Sequence, residues 1–349
     1  MSDLTRLQEG LRYPFPEAPE FGAMIEIATD IFWLRLPLPM ALDHVNVYLL
    51  RDPDGWTIVD TGMGSRKTKA IWQSLIDGPL ACQTIARVIV THHHPDHVGL
   101  AGWFQTEFGA ELIMTRTAWL MARMLVLDVQ DLPVPETLTF WRRAGMDPVI
   151  LEERAKGKPF NFADTVHPMP LGYSRIQEGD VLTLAGRKWT VHIGNGHAPE
   201  HATLWCDDAP LVIAGDQIIS SISPNLGVYA TEPDADPVGE WLEACERLAR
   251  YATPDHLVLS GHKLPFIGLP HRFQQMITNH HHALDRLYEY LETPRTAAEC
   301  FSCLFKRHIG PDEYGLALVE AVAHLNTLYR SGRAKRQLDE NGALRYSRL

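Results

Sequence analysis

The stretch Thr91-His92-His93-His94-Pro95-Asp96-His97 decides how this chain is read, because His-x-His-x-Asp-His spacing supplies two neighbouring sets of metal ligands. Before it, Ile85-Ala86-Arg87-Val88-Ile89-Val90-Thr91 is a short β-branched run that predicts a buried strand, so the histidines lie where that strand runs out into a loop. Alternation at the strand end aims His92 and His94 to one side and His93 away from it. Pro95 stops the pairing. Asp96-His97-Val98-Gly99-Leu100-Ala101 then begins a helix that turns Asp96 and His97 toward a second position beside the first. Imidazole and carboxylate together suit zinc, iron or manganese.

Downstream, three more candidates follow apolar runs of the same kind. His197, in Gly196-His197-Ala198-Pro199-Glu200-His201, comes after Trp189-Thr190-Val191-His192-Ile193; Asp216 comes after Leu211-Val212-Ile213-Ala214-Gly215; His262 comes after Leu257-Val258-Leu259-Ser260-Gly261. Each stands just past a strand and directly after a glycine.

With these runs in order, residues 25 to 265 resemble the metallo-β-lactamase superfamily, and within it the glyoxalase II type of site. The family's early aspartate is matched by Asp60 in Thr57-Ile58-Val59-Asp60-Thr61-Gly62. The resemblance implies an α/β chain folded as an αββα sandwich. It implies two divalent metal ions, zinc before iron or manganese. His92, His94 and His197 would hold one, Asp96, His97 and His262 the other, with Asp216 bridging and Asp60 supporting. Glu200 stands where many relatives have Gly, and Gln217 follows Asp216 where a small residue is common; neither removes a ligand. No separate signature for a glutathione moiety is present.

A chain with 17 histidines needs a bland reading beside each pointed one. His201, four residues after His197, is assigned to supporting or packing contacts. His280, His281 and His282 fall in a helix of 271 to 292 whose apolar positions include Met276, Leu284 and Leu287; His280 shares that face and the other two do not. Cys300-Phe301-Ser302-Cys303 has metal-type spacing without a second pair, and reads as helix core.

The chain of 349 residues is 45% hydrophobic, enough for a large core and suggestive of two domains. There is no transmembrane run, and the polar, acidic start Met1-Ser2-Asp3-Leu4 does not resemble a signal peptide. Five scattered cysteines favour a reducing compartment, with cytoplasmic location as the expectation. Strands are expected at Ile31-Phe32-Trp33-Leu34, Val45 to Leu50 and Trp56-Thr57-Ile58-Val59, with Asp54-Gly55 as a hairpin turn. Residues 1 to 265 form the expected catalytic domain, carrying a helical insertion at about 115 to 175 with Trp119, Met121, Met124 and Trp141. That insertion forms either a wall of a pocket for an apolar substrate moiety or a packing surface, including one for a homodimer.

Residues 266 to 349 form the second module. It has a long helix, a helix start at Thr293-Pro294-Arg295-Thr296, and a helix with Leu318, Val322, Leu325 and Tyr329 in register. It closes on a hairpin turning at Asn341-Gly342, and looks like a winged helix. Some relatives cleave RNA, yet residues 295 to 349 carry only nine Lys and Arg against six Asp and Glu, while the whole chain is at −11. Nucleic acid is therefore ranked below a small molecule as partner.

The expected reaction is hydrolysis of a small ester, thioester or lactone by a metal-bridging hydroxide. Asp96 would collect the proton, and Tyr229, in Gly227-Val228-Tyr229-Ala230, either donates to the oxyanion or packs. Two metals, two carboxylates and one hydroxide sum to a charge of about +1, which tolerates one developing oxyanion. Iron-dependent oxygen or sulfur chemistry on the same ligands, and a nucleic-acid-binding regulator or ribonuclease using the wing, are the alternatives from other classes.

Overall fold

In the computed structural model, which describes residues 6–8, 10–305, 307–311 and 313–349, two sheets lie face to face. Met1 to Leu4 lie outside the described residues. The first sheet follows chain order through Met24–Ala28, Ile31–Pro37, His44–Asp52, Gly55–Val59, Ile85–Ile89, Glu111–Met114 and Ser174–Arg175. The second runs, in space, Arg6–Gln8, Leu11–Tyr13, Phe266–Ile267, Leu257–Ser260, Leu211–Gly215, His201–Cys206, Arg187–Gly194 and Val181–Leu184.

Period-two alternation sorts side chains between layers. From Ile31–Pro37, Trp33 enters the core between the sheets while Leu34 and Leu36 face the helices outside. Ile31, Tyr48, Val59 and Ile89 of the first sheet meet Trp189, Val191, Leu204 and Ile213 of the second in that inner core. The helices Arg66–Asp77, Ala101–Phe108 and Arg116–Leu127 cover the first sheet. Pro237–Leu248 and Leu269–Tyr290 cover the second. The order is helix, sheet, sheet, helix, the expected αββα arrangement.

Two local expectations shift. The hairpin after His44–Asp52 turns at Pro53 and Asp54, with Asp52 facing Gly55 across the ladder, so Gly55 opens the next strand rather than completing the turn. Pairing before the histidine run stops at Ile89, because Asp60 takes the Thr91 N–H onto its carboxylate; Pro95 instead occupies the first position of the Pro95–Val98 helix.

The C-terminal residues form Leu269–Tyr290, a short turn of helix closed by Thr296 and Glu299, Phe301–Phe305, Tyr314–Arg330 and the hairpin Ala334–Leu338 with Leu344–Arg348. Leu318, Val322 and Leu325 are buried as expected, and Tyr329 is exposed. These helices share one apolar cluster with Trp241, Leu242 and Phe266 of the sandwich. The insertion divides its contacts. Ala118, Ala122 and Val126 pack on the first sheet's outer core, whereas Phe140, Ala144 and Met146 pack with the C-terminal helices. Cys300 is buried and Cys303 half-buried against that core, and all five cysteines are free.

At the seam between Pro237–Leu248, Leu269–Tyr290 and Tyr314–Arg330, His280 and His324 stack with ring centroids 6.0 Å apart. His280 donates to the Met276 carbonyl and His324 to the Glu320 carbonyl. His281 and His282 face outward. Burial, opposed by its hydrogen bond, lowers the His324 pKa to about 4, and burial lowers His280 also. An unfolded histidine titrates near ~6.5, so below that pH the unfolded chain binds more protons and stability falls until pH reaches the folded value. For His324 alone the loss by pH ~4.5 is on the order of 2 kcal/mol. Thermal midpoints of the metal-free protein between pH 7.5 and 4.5 are expected to drop less steeply for His324→Gln than for wild type; parallel curves would count against this seam as an acid-sensitive point.

Candidate metal centre

The mouth of the sandwich collects the loops that follow the strands. Three nitrogens converge at one position: His92 Nε2 lies 3.0 Å from His94 Nδ1, which lies 3.0 Å from His197 Nε2, and the third side of the triangle is 3.3 Å. Beside them, Asp216 Oδ2 is 3.5 Å from His97 Nε2, 3.5 Å from His197 Nε2 and 3.1 Å from His262 Nε2. Asp96 Oδ2 is 3.3 Å from His262 Nε2 and 3.6 Å from His97 Nε2. Among the described residues, His92, His94 and His197 form one group able to hold a metal ion, His92, His97 and Asp216 a second, and Asp96, His97 and His262 a third.

The outer ring nitrogens show why the inner ones are free to coordinate. His97 Nδ1 donates to Asp60 Oδ2 at 2.8 Å, His262 Nδ1 to the His44 carbonyl at 2.7 Å, and His197 Nδ1 to the Asn225 carbonyl at 2.8 Å. Thr91 gives its hydroxyl proton to Asp60, leaving its oxygen to accept from His92 Nδ1 at 3.0 Å. Four of the five rings therefore present a lone pair inward when neutral. His97 Nε2 and Asp216 Oδ1 are buried without a hydrogen-bond partner. Converging lone pairs and two carboxylates fit a divalent metal, which satisfies all of them at once.

The glycines before His197, Asp216 and His262 all have a steric role, Gly215 because a Cβ there would stand 2.6 Å from the His201 ring. A Cβ on Gly261 would stand 2.2 Å from Asp216 Oδ1 and 2.7 Å from His97, and one on Gly196, at φ +92°, would stand 2.3 Å from the Pro237 carbonyl and Trp241. Glu200, at φ +48°, occupies the left-handed region at a cost of about 1 kcal/mol. Its carboxylate accepts the Thr117 N–H at 2.6 Å, in the first turn of Arg116–Leu127, and its carbonyl accepts from Thr115. The departure from Gly thus ties the ligand loop to the insertion. Gln217 lies over Gly194, which has no room for a side chain.

Other residues fall where expected. Asp60, at φ +64°, orients Thr91 and His97. His201 accepts the Asp216 N–H and stacks on His92. His93 turns away and lies parallel to Phe162. Tyr229 is 49% exposed, and among the described residues no hydrogen bond or ring contact joins it to a ligand.

Sequence reasoning passed over the alternating His44-Val45-Asn46-Val47-Tyr48. Asn46, buried between Val45 and Val47, donates to the carbonyls of Ser260 and Lys263 and accepts from Trp33. Tyr48 donates to Ser260, and His44 accepts the Lys263 N–H. Together they hold the loop that carries His262. Polar residues at every second position of a buried strand were the available signal.

Residues 40–262 match the profile of the metallo-beta-lactamase superfamily. The chain belongs to that superfamily. Residues 284–349 match the profile of the metallo-beta-lactamase-like C-terminal domain. The chain is 23% identical over 314 residues to a probable metallo-hydrolase, YqjP, of Bacillus subtilis, covering 86% of this chain and 92% of the relative. Among solved structures, a beta-lactamase domain protein from Burkholderia ambifaria is 34% identical with a TM-score of 0.89, covering 97% of this chain and 98% of that one. A metallo-beta-lactamase family protein from Thermus thermophilus is 26% identical with a TM-score of 0.77, covering 93% and 100%. This superfamily member is a metal-dependent hydrolase, and its histidine and aspartate clusters suit divalent metal ions.

The charges set a proton inventory. Burial opposes protonation of His97 and His262, but Asp216 and Asp96 raise both, His262 to about 10. Burial and the neighbouring rings hold His92 and His94 well below the usual imidazole range. Without metal both rings are thus biased toward the protonated form, and ligation requires them neutral. Zinc added to metal-free protein is expected to release protons, read by calorimetry in buffers of different ionisation enthalpy, and His262→Ala should release fewer. Release near zero in wild type would contradict the inventory.

Proposed function

We propose that this enzyme hydrolyses a small ester, thioester or lactone with an apolar portion at a dinuclear centre of the glyoxalase II type, with zinc as the first choice of metal. His92, His94 and His197 would hold one ion and Asp96, His97 and His262 the other, with Asp216 available to both. Bound there, the ions supply Lewis acidity toward the scissile carbonyl and lower the pKa of water at the site. Asp96, with 19% of its side chain exposed, is more open than its partners His97 and His262 and is placed to take the proton of the attacking water.

The observation that carries the apolar preference is a ladder of rings leading away from the ligands. His94 contacts His93 at 4.8 Å, His93 faces Phe162 at 6.3 Å, and Phe162 meets Phe160 at 5.8 Å. Phe160 is 64% exposed. An exposed aromatic ring two contacts from a ligand-bearing loop gives an acyl chain or ring a surface to cover. The insertion therefore contributes its pocket wall through Phe160 and Phe162. Trp119, by contrast, stacks on Tyr173, and Trp141 packs toward the C-terminal core.

The cations of the C-terminal module favour this reading over a nucleic acid. Arg307, Arg333, Arg336, Arg345 and Arg348 are each paired with an aspartate or glutamate, leaving little charge to displace counterions from phosphates. We take residues 266–349 as a winged-helix-like module that supports the catalytic unit of 1–265. No helix among the described residues is long and apolar enough to cross a membrane. The five free cysteines agree with a cytoplasmic setting. The exposed stripe Leu120, Met124 and Leu127 suits a homodimer contact, which sedimentation velocity reads directly.

A screen of acyl-thioesters, esters, lactones, β-lactams and a phosphodiester reporter, run with metal analysis, tests the assignment. Carbonyl substrates are expected to lead, and Phe160→Ala should lower kcat/KM for long acyl chains by about tenfold while sparing short ones. Dominant phosphodiester turnover, or an iron-loaded protein consuming oxygen, would overturn it. Tyr229, four residues beyond the carbonyl that holds His197, is assigned to the oxyanion. Tyr229→Phe should lower kcat without changing metal content, and unaltered kcat would return the residue to packing.

A further inference from the structure

We infer that Glu320, on the C-terminal Tyr314–Arg330 helix, is a positioning residue for the ligand His197, so that the C-terminal module sets metal affinity at the His92, His94 and His197 group. The inference rests on the metal centre of the proposed function and is independent of which substrate is cleaved.

The link begins at the ring. His197 Nδ1 donates to the main-chain carbonyl of Asn225, which fixes the ring's rotation and turns Nε2 toward His92 and His94. Asn225 lies in a segment with no strand or helix of its own, between Gly215 and Pro237, so its place depends on what grips it. The grip comes from the Tyr314–Arg330 helix. The Asn225 side-chain amide donates to Glu320 at 2.7 Å and to the Leu316 carbonyl at 3.4 Å. Three residues on, the Val228 N–H donates to the Val319 carbonyl at 3.1 Å. Gly227 between them has no room for a Cβ, which would stand 2.9 Å from Val319.

Further along, Asn326 donates to the carbonyls of Pro233 and Ala235, and Thr327 donates to Asp236. One helix face therefore carries the loop from Asn225 to Asp236. Of these contacts, the 2.7 Å Glu320 bond is the shortest one to Asn225, the residue whose carbonyl holds the ligand. Burial raises the Glu320 pKa to about 7, and the hydrogen bond from the Asn225 amide, with Arg307, opposes that shift. Outer partners of metal-bound histidines typically change metal affinity by ~10–100-fold when removed.

Zinc titration of the metal-free, full-length chain against a competing chelator tests this, alongside thermal midpoints of the metal-free protein. Glu320→Ala is expected to weaken one zinc affinity by about tenfold and to leave the other affinity and the metal-free midpoint unchanged. Glu320→Gln, whose amide oxygen still accepts from Asn225, is expected to bind zinc as wild type does. Asn225→Ala keeps the carbonyl and deletes the amide, so it should repeat the selective loss, and it decides the matter if Glu320→Ala does not fold. Unchanged affinities in the alanine variants, loss in Glu320→Gln equal to that in Glu320→Ala, or equal weakening of both metals with a lowered midpoint would each overturn the inference. A wild-type chain that takes up only one zinc would refute the dinuclear reading instead, and the same variants then report on that one affinity.

Discussion

Five imidazoles and two carboxylates share one small buried space at the mouth of this sandwich, and the ring nitrogens facing each other there must be lone pairs directed at a cation. Neutral imidazole carries one proton, so that proton has to be kept on the far nitrogen by something outside the cluster. Asp60, Thr91, His44 and Asn225 provide that service for His97, His92, His262 and His197. Much of the surrounding structure can be understood as the means of putting those four acceptors in place.

The acceptors come from different layers. Asp60 leaves the end of Gly55–Val59 in a left-handed conformation that few residues adopt, and its hydrogen bonds to Thr91 and His97 offset the strain. His44 belongs to the first sheet while His262 follows a strand of the second, so their bond spans the sandwich. Asn46 and Tyr48 reinforce that crossing by binding the carbonyls of Ser260 and Lys263. Asn225 is held by the C-terminal helix. The metal centre is thus a junction of both sheets and the C-terminal module, and the inner core of Trp33, Tyr48, Trp189 and Ile213 keeps the sheets at the spacing it needs.

The insertion has a divided character that follows from its packing. Its first helix lies on the first sheet and its next on the C-terminal core, with Glu200 tying the first to the ligand loop. Beyond the ligands the insertion exposes the ring of Phe160, packed edge-on against half-buried Phe162. On the proposed function, this ring would cover the unreactive part of a substrate while the polar groups hold its reacting end.

The ligand runs were legible because metal chemistry restricts residue type and spacing together. His92-x-His94-x-Asp96-His97, and Gly before His197, Asp216 and His262, are local patterns that end strands. Strand positions and the C-terminal hairpin were legible for the same kind of reason, since alternation and turn residues are local. The hairpin turn at Pro53 and Asp54 differed by one residue from its expected place, because ladder pairing of Asp52 with Gly55, rather than turn propensity, decides where a strand ends. Asn46, Asn225 and Glu320 could not be found this way. Each acts on a group distant in sequence, 214 residues away for Asn46 and Ser260 and 95 for Asn225 and Glu320, and hydrogen bonds of that range leave no spacing to read. The sequence by itself determined which side chains can ligate and where strands deliver them; the tertiary structure alone decided which neighbour holds each ring's outer proton, because that depends on how the sheets and the C-terminal helix pack.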